Sequence, residues 1–171
     1  MAIASMLITP PAIAGLNDDR FDGNIFALYA GNGSLVPARV TLAQSRAKSR
    51  AALLVYFLDD SKDCKQFVDT ISQLQRYYGM AADFIPVNVD TLALEKVDNP
   101  NEVGYYYTGY VPQTVVIDQS GEVVLDRVGQ VSFEDIDDAM RDVFDLLPRS
   151  ESVELKRRAF NEFNSELVPS E

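Results

Sequence analysis

Leu53-Leu54-Val55-Tyr56-Phe57-Leu58-Asp59-Asp60-Ser61-Lys62-Asp63-Cys64-Lys65-Gln66-Phe67 is the stretch whose reading decides the fold. It begins inside an unbroken apolar run, Ala51 to Leu58, that shows no polar alternation. Such a run predicts a strand buried on both faces of a sheet. Asp59 and Asp60 form a polar turn. From Ser61 to Tyr78, the residues Cys64, Phe67, Val68, Ile71, Leu74 and Tyr78 recur at three- and four-residue steps. That spacing predicts an amphipathic helix, with Gly79 as its stop.

Downstream, Phe84 to Asp90 reads as a second buried strand. Pro86 lacks an amide proton, which places it at an edge or an irregular spot. Thr91 to Val97 predicts a short helix, Asn99-Pro100-Asn101 a break, and Glu102 to Tyr107 one more helical turn. Tyr110-Val111-Pro112-Gln113-Thr114-Val115-Val116-Ile117-Asp118 is a proline-led strand. Asp118 to Gly121 is a hairpin turn and Glu122 to Val128 the returning strand. Ser132 to Leu147 predicts a helix with Ser132 as N-cap and acids in its first turns. Upstream, Asn24 to Ala30 reads as a first strand, Gly31 to Ser34 as a turn and Thr41 to Arg50 as a short helix. The predicted order is β-α-β-α-β-α-β-β-α. Alternation implies parallel pairing, and the late hairpin adds antiparallel strands.

This gives one α/β domain over residues 22–147. Pro148 ends it, and residues 148–171 read as a C-terminal helical extension, Ser152 to Leu167, with a stripe of Leu155, Ala159, Phe163 and Leu167. At the other end, Met1 to Asn17 carries no charge. Residues 1–15 read as the remnant of an export signal, since Ala12-Ile13-Ala14 has the small-x-small form of a cleavage site. The mature chain then begins near Gly15. A docked apolar N-terminus is the alternative, and the run is too short to span a bilayer.

Composition excludes several functions. The net charge of −11 argues against nucleic acid, whose binders cluster Lys and Arg. The chain has no His, which removes imidazole catalysis and His-metal sites, and a single Cys, Cys64, which allows no internal disulfide. No phosphate-binding glycine loop, no metal-ligand spacing and no cofactor motif is present. Glu134, Asp135, Asp137, Asp138, Asp142 and Asp145 read as a solvated helix face. Lys156-Arg157-Arg158 suits a lipid surface or an acidic partner and leaves peripheral membrane association open.

The segment order, the Ser61-x-x-Cys64 turn and the Val111-Pro112-Gln113-Thr114 loop together resemble the thioredoxin fold, a mixed central sheet flanked by helices with a cis-Pro loop facing the motif. The resemblance implies a chemistry that this sequence has lost at three points. Ser61 stands where the attacking cysteine belongs. Val55 stands where a buried acid shuttles a proton, and Asp60 replaces the flanking aromatic residue. Catalytic residues are therefore expected to be absent, with Ser61 and Cys64 as relics of the motif. Ser61 reads as a helix cap and Cys64 as a small core residue. Asp59, Asp60 and Asp63 disfavour a thiolate, which Lys62 and Lys65 offset in part. The competing reading is a monothiol oxidoreductase that uses Cys64 with a thiol supplied in trans.

What the resemblance leaves intact is a binding surface. A cis bond before Pro112 would free the Val111 backbone to pair with an extended peptide. Tyr105, Tyr106, Tyr107 and Tyr110 lie beside it, offering contact area with a polar tip. These four with Val111 and Pro112 are the expected partner-binding residues. A closer likeness runs along nearly the whole chain. Leu16-Asn17-Asp18-Asp19-Arg20-Phe21-Asp22-Gly23-Asn24-Ile25-Phe26-Ala27-Leu28-Tyr29-Ala30-Gly31-Asn32-Gly33-Ser34-Leu35-Val36-Pro37, with the Asp59 to Lys65 turn and the Tyr110 to Asp118 strand, resembles the thioredoxin-like photosystem I accumulation factors of cyanobacterial and plastid thylakoids. That resemblance implies a protein client, a photosystem I subunit or assembly intermediate, and a thylakoid membrane location; the apolar leader points to its lumenal side, or otherwise to an exported, periplasmic location.

Overall fold

The computed structural model describes residues 15–152 apart from 94 and 96. The apolar leader up to residue 14 and the predicted extension helix beyond residue 152 lie outside the described residues. Eight regular elements carry the fold. They are α1 (Ile25–Ala30), α2 (Leu42–Ala47), β1 (Ala52–Phe57), α3 (Lys62–Tyr78), β2 (Asp83–Asn88), β3 (Gln113–Ile117), β4 (Val123–Val128) and α4 (Phe133–Val143).

The four strands lie in the order β2-β1-β3-β4. β1 pairs parallel with β2, so α3 is the crossover of a βαβ unit. β3 runs antiparallel to β1 and β4 antiparallel to β3, closing a ββα unit with α4. β1 and β3 are buried at every position, as the unalternating apolar run requires. Pro86 sits in β2, an edge strand, opposite Val55.

The sheet has a packed layer on each side. On one, Leu53, Val55, Phe57, Phe84 and Val116 meet Ile25 and Phe26 of α1, Cys64 to Leu74 of α3, and Ile136 and Met140 of α4. On the other, Leu54, Tyr56, Ile85, Val87, Val115 and Ile117 are covered by Leu42 of α2 and by the 89–107 loop.

Three expectations are corrected. Asn24 to Ala30 is not a strand. Asn24 caps a helix by accepting from the Ala27 amide, and Gly31 ends it in the left-handed conformation at φ 60°. A six-residue apolar run lacks the length to separate the two periodicities, and these caps decide it. Thr91 to Val97 is not a helix: a single 3-10 turn spans Val89–Thr91, and the described residues after it are non-helical. The last helix stops at Val143 rather than Leu147, and Asp145 takes a positive φ of 51° just beyond. The chain then folds back, with Arg149 bonding the Glu134 carbonyl and Asp138, and Arg141 bonding the Leu147 carbonyl and Ser152.

Candidate functional site

β1 delivers the chain to the N-terminus of α3, and the first turn of that helix is where a thiol would act. Two of its backbone donors are engaged by side chains. Ser61 is the N-cap and accepts from the Cys64 amide at 3.4 Å. The Lys62 amide donates to Asp19 Oδ1 at 2.9 Å. A carboxylate thus sits on the helix N-terminus, where the macrodipole would otherwise stabilise a thiolate. Cys64 is 1% exposed and faces the sheet. Burial pushes its thiol above the ordinary value; contacts with Ser61 and Leu58 oppose this in part, and the carboxylates of Asp63 and Asp59 add to it.

The turn's acids have separate structural duties. Asp59 accepts from the Ile25 amide at 3.2 Å and from Asn88 at 3.0 Å, tying the end of β1 to α1 and β2. Asp63 accepts from Gln130 at 3.3 Å, and Gln130 also reaches Gln66 at 2.9 Å. Across from Val55 lies Thr114, whose buried hydroxyl has no partner among the described residues. No carboxylate stands in the position of the proton shuttle.

A strap formed by residues 15–22 lies over this turn. Its anchor is Lys65, which is 1% exposed. The Lys65 ammonium donates to the carbonyls of Gly15 (3.1 Å), Asp18 (3.1 Å) and Arg20 (2.6 Å), and to the carboxylates of Asp18 (3.2 Å) and Asp22. The Tyr29 ring lies 5.7 Å from the same nitrogen, and the Tyr29 hydroxyl donates to Asp22. Gln66 adds a bond to Asn17 at 2.9 Å. A buried charge persists only when its hydrogen-bonding capacity is filled, and the strap fills it. The sequence singles out Lys65 only as a charge that partly offsets the acids of the turn. The missed signal is its place in the helix, three residues before Val68 and seven before Ser72, both buried.

The Val111–Pro112 peptide bond is cis. The Pro112 carbonyl accepts from the Gly129 amide at 2.7 Å. Among the described residues, the Val111 amide and carbonyl make no hydrogen bond with the rest of the fold. The six expected partner-binding residues divide into two sets. Tyr105 and Tyr110 are exposed, at 48% and 67%. Tyr107 stacks on Tyr56 at 5.3 Å, and Tyr106 bonds the Pro100 carbonyl and Arg46. Val111 is half-buried, against both layers, and Pro112 is buried. Burial raises the Tyr107 phenol, and Cys64 adds to the effect.

Gln113 organises this loop and was missed as a functional residue. It is fully buried. It accepts from the Thr108 amide and hydroxyl, each at 3.0 Å, and donates to the Tyr106 carbonyl (2.9 Å) and Asp126 (2.8 Å). Tyr56 holds the other end through the Val103 carbonyl at 2.6 Å. Among the described residues, no set of three or more acids and Cys is arranged to hold a metal, and no helix is long and apolar enough to cross a membrane.

A sheet built from a βαβ and a ββα unit, with a helix N-terminus beside a cis-proline, defines a thioredoxin-like protein. A thioredoxin-like domain family matches residues 38–144, and the chain belongs to that family. It is similar to the thylakoid membrane protein slr1796 of Synechocystis sp., at 57% identity over 157 residues covering 92% of this chain and 78% of that protein. Among solved structures, it is similar to a point-mutant thioredoxin from Halobacterium salinarum, at 20% identity over 63% of this chain and 86% of the other, with a TM-score of 0.48. A germline-specific thioredoxin of Drosophila melanogaster, Deadhead, matches at 17% identity over 58% and 87%, with a TM-score of 0.47.

Proposed function

We propose that this chain is a non-catalytic thioredoxin-like factor of the thylakoid membrane, which supports the accumulation of photosystem I by holding a client protein in the cis-Pro groove. The observation that carries the non-catalytic half is the state of the α3 N-terminus. Ser61 and Asp19 occupy two of its donors while Cys64 is buried beneath. An attacking thiol has neither a position nor a stabilised charge there. The binding half is supported by the unpaired Val111 backbone between Tyr110 and the end of β4. A client strand would bond to that backbone, with the exposed faces of Tyr105 and Tyr110 as its apolar contacts.

The thylakoid setting is supported by the printed name of the Synechocystis relative. The photosystem I client rests on the family likeness read from the Leu16 to Pro37 segment and the two motifs, and the lumenal face on the uncharged leader of the sequence. Peripheral attachment suits the described residues, which contain no membrane-crossing helix.

Affinity capture from solubilised thylakoids tests the reading, comparing wild type with Cys64→Ala and with Tyr105→Ala/Tyr110→Ala. Photosystem I subunits should be captured by wild type and Cys64→Ala, and lost with the tyrosine pair. Partners that vanish in Cys64→Ala and are released by reductant would instead make the chain a monothiol enzyme with a thiol in trans.

A further inference from the structure

The cations of this acidic chain gather at one end of the sheet, around the turn that joins α3 to β2. Arg50 donates to the Met80 carbonyl at 3.3 Å and to Asp83 at 3.0 Å. Arg39 lines a cleft with Gly79, Ala82 and Asp83. Lys48 closes α2 two residues before Arg50, and Arg76 stands in the last turn of α3, four residues before Met80. Asp83, the acid in their midst, is taken by Arg50 and Ser45. Among the described residues, the exposed side chains of Arg39, Lys48 and Arg76 enter no hydrogen bond or ion pair. Met80 stands at the centre of this collar and is 93% exposed. Its turn is held firmly. The Gly79 amide donates to the Gln75 carbonyl at 2.9 Å, and the Ala81 and Ala82 amides both donate to the Tyr78 carbonyl at 2.8 Å. Tyr77 is exposed beside it and meets Phe133 of α4 edge-on.

We propose that Met80 and the collar of Arg39, Lys48, Arg50 and Arg76 dock this protein on a membrane surface of anionic lipid headgroups. The inference rests on the peripheral attachment proposed above and gives it a surface and a ligand chemistry. A protruding apolar side chain enters the headgroup layer, and the long cationic side chains lie along it with their charges outward. The net charge of −11 does not forbid this. Salt screens charges beyond roughly 8 Å, so a lipid surface responds to the end nearest to it. The strap and turn acids, Asp18, Asp19, Asp22, Asp59, Asp60 and Asp63, lie at the other end of α3. That helix has 17 residues, which separates its two ends by about 25 Å. Docking by Met80 therefore holds the cis-Pro groove on the side turned away from the lipid.

Sedimentation of the full chain with vesicles tests this. Binding is expected to vesicles of equal parts phosphatidylglycerol and phosphatidylcholine, falling as salt rises, and not to phosphatidylcholine alone. Each basic residue near an anionic surface changes binding about fivefold. Arg39→Gln/Lys48→Gln/Arg76→Gln should thus bind about a hundredfold more weakly. Its thermal unfolding should match wild type, since all three side chains are exposed. Arg127→Gln, in the edge strand β4, should bind as wild type. Orientation is read with an environment-sensitive dye on Met80→Cys in a Cys64→Ala background. Its emission should shift to the blue on the mixed vesicles, whereas the same dye on Tyr110→Cys should not respond. Absence of binding to the mixed vesicles overturns the proposal. So does a triple variant that binds as wild type, a loss produced only by Lys156→Gln/Arg157→Gln/Arg158→Gln, or a blue shift at Tyr110→Cys without one at Met80→Cys. The capture experiment above uses solubilised membranes and reads the client, so either reading can fail while the other stands.

Discussion

Gln113 shows at the residue scale how a buried polar group can carry a binding surface. Its amide is the point from which the tyrosine loop and β4 are both held, through four bonds made by a side chain that is itself fully buried. Gln113→Ala would orphan the Tyr106 carbonyl and the Thr108 amide, so a loss of roughly 2–4 kcal/mol is expected in urea unfolding. The Tyr105 to Tyr110 segment should become the first site of proteolysis. Cys64 makes the opposite case, a thiol that is 1% exposed and raised above its ordinary value by burial. Iodoacetamide should leave it unmodified in the native protein and label it fully in denaturant. Cys64→Ala should cost about 1 kcal/mol, the price of a small cavity. The relic motif at Ser61 and Cys64 was legible in the sequence because spacing alone shows it. Gln113 and Lys65 were not, because a polar residue's burial is set by partners far along the chain.

At the scale of elements, capping decides which segments are helices. β1, α3 and β3 were legible because long, strongly patterned runs leave little choice of period. α1 was not, since Ile25 to Ala30 satisfies either reading, and only Asn24 and Gly31 at its ends favour a helix. Its first amide is also taken by Asp59 from the end of β1, a contact 34 residues distant in the chain that no local pattern contains. Asn24→Ala should therefore destabilise the domain by about 1 kcal/mol, the usual worth of an N-cap. Asp19→Ala should cost a similar ~1 kcal/mol by uncapping Lys62, although residue 19 belongs to no helix. Thermal unfolding of the two single variants and their double checks both values. Each acts on a different helix, so the losses should add.

For the whole molecule, the strap is the feature that separates this chain from a bare thioredoxin-like sheet. The segment from Leu16 was visible in the sequence as part of a family likeness, but its role was not, because it depends on a lysine from another element. The cluster sets its own pH window. Bonds from Lys65 and Tyr29 hold the Asp22 carboxyl below its ordinary value of 3.8, and Asp18 is lowered chiefly by Arg20, with Lys65 contributing. Groups lowered in the folded state stabilise it above their unfolded value, and that support is lost as pH falls through the folded one. Lys65 itself is held above 10.5: burial alone would lower it, but Asp22 and Asp18 outweigh that cost. Its contribution is full below 10.5 and is lost as pH rises through the higher folded value. The strap should thus stay docked across the range between these limits and come away in acid before the sheet unfolds, since Asp18 and Asp22 anchor it to Lys65 whereas β1 and β3 are held by apolar layers. Lys65→Met removes the cation at neutral pH and should reproduce the acid state. Hydrogen exchange at neutral pH should then show the amides of residues 16–24 and of Lys62 losing protection, while those of β1 and β3 keep theirs. If β1 and β3 lose protection together with the strap, the segment is part of the domain's cooperative core and not a separately released cover.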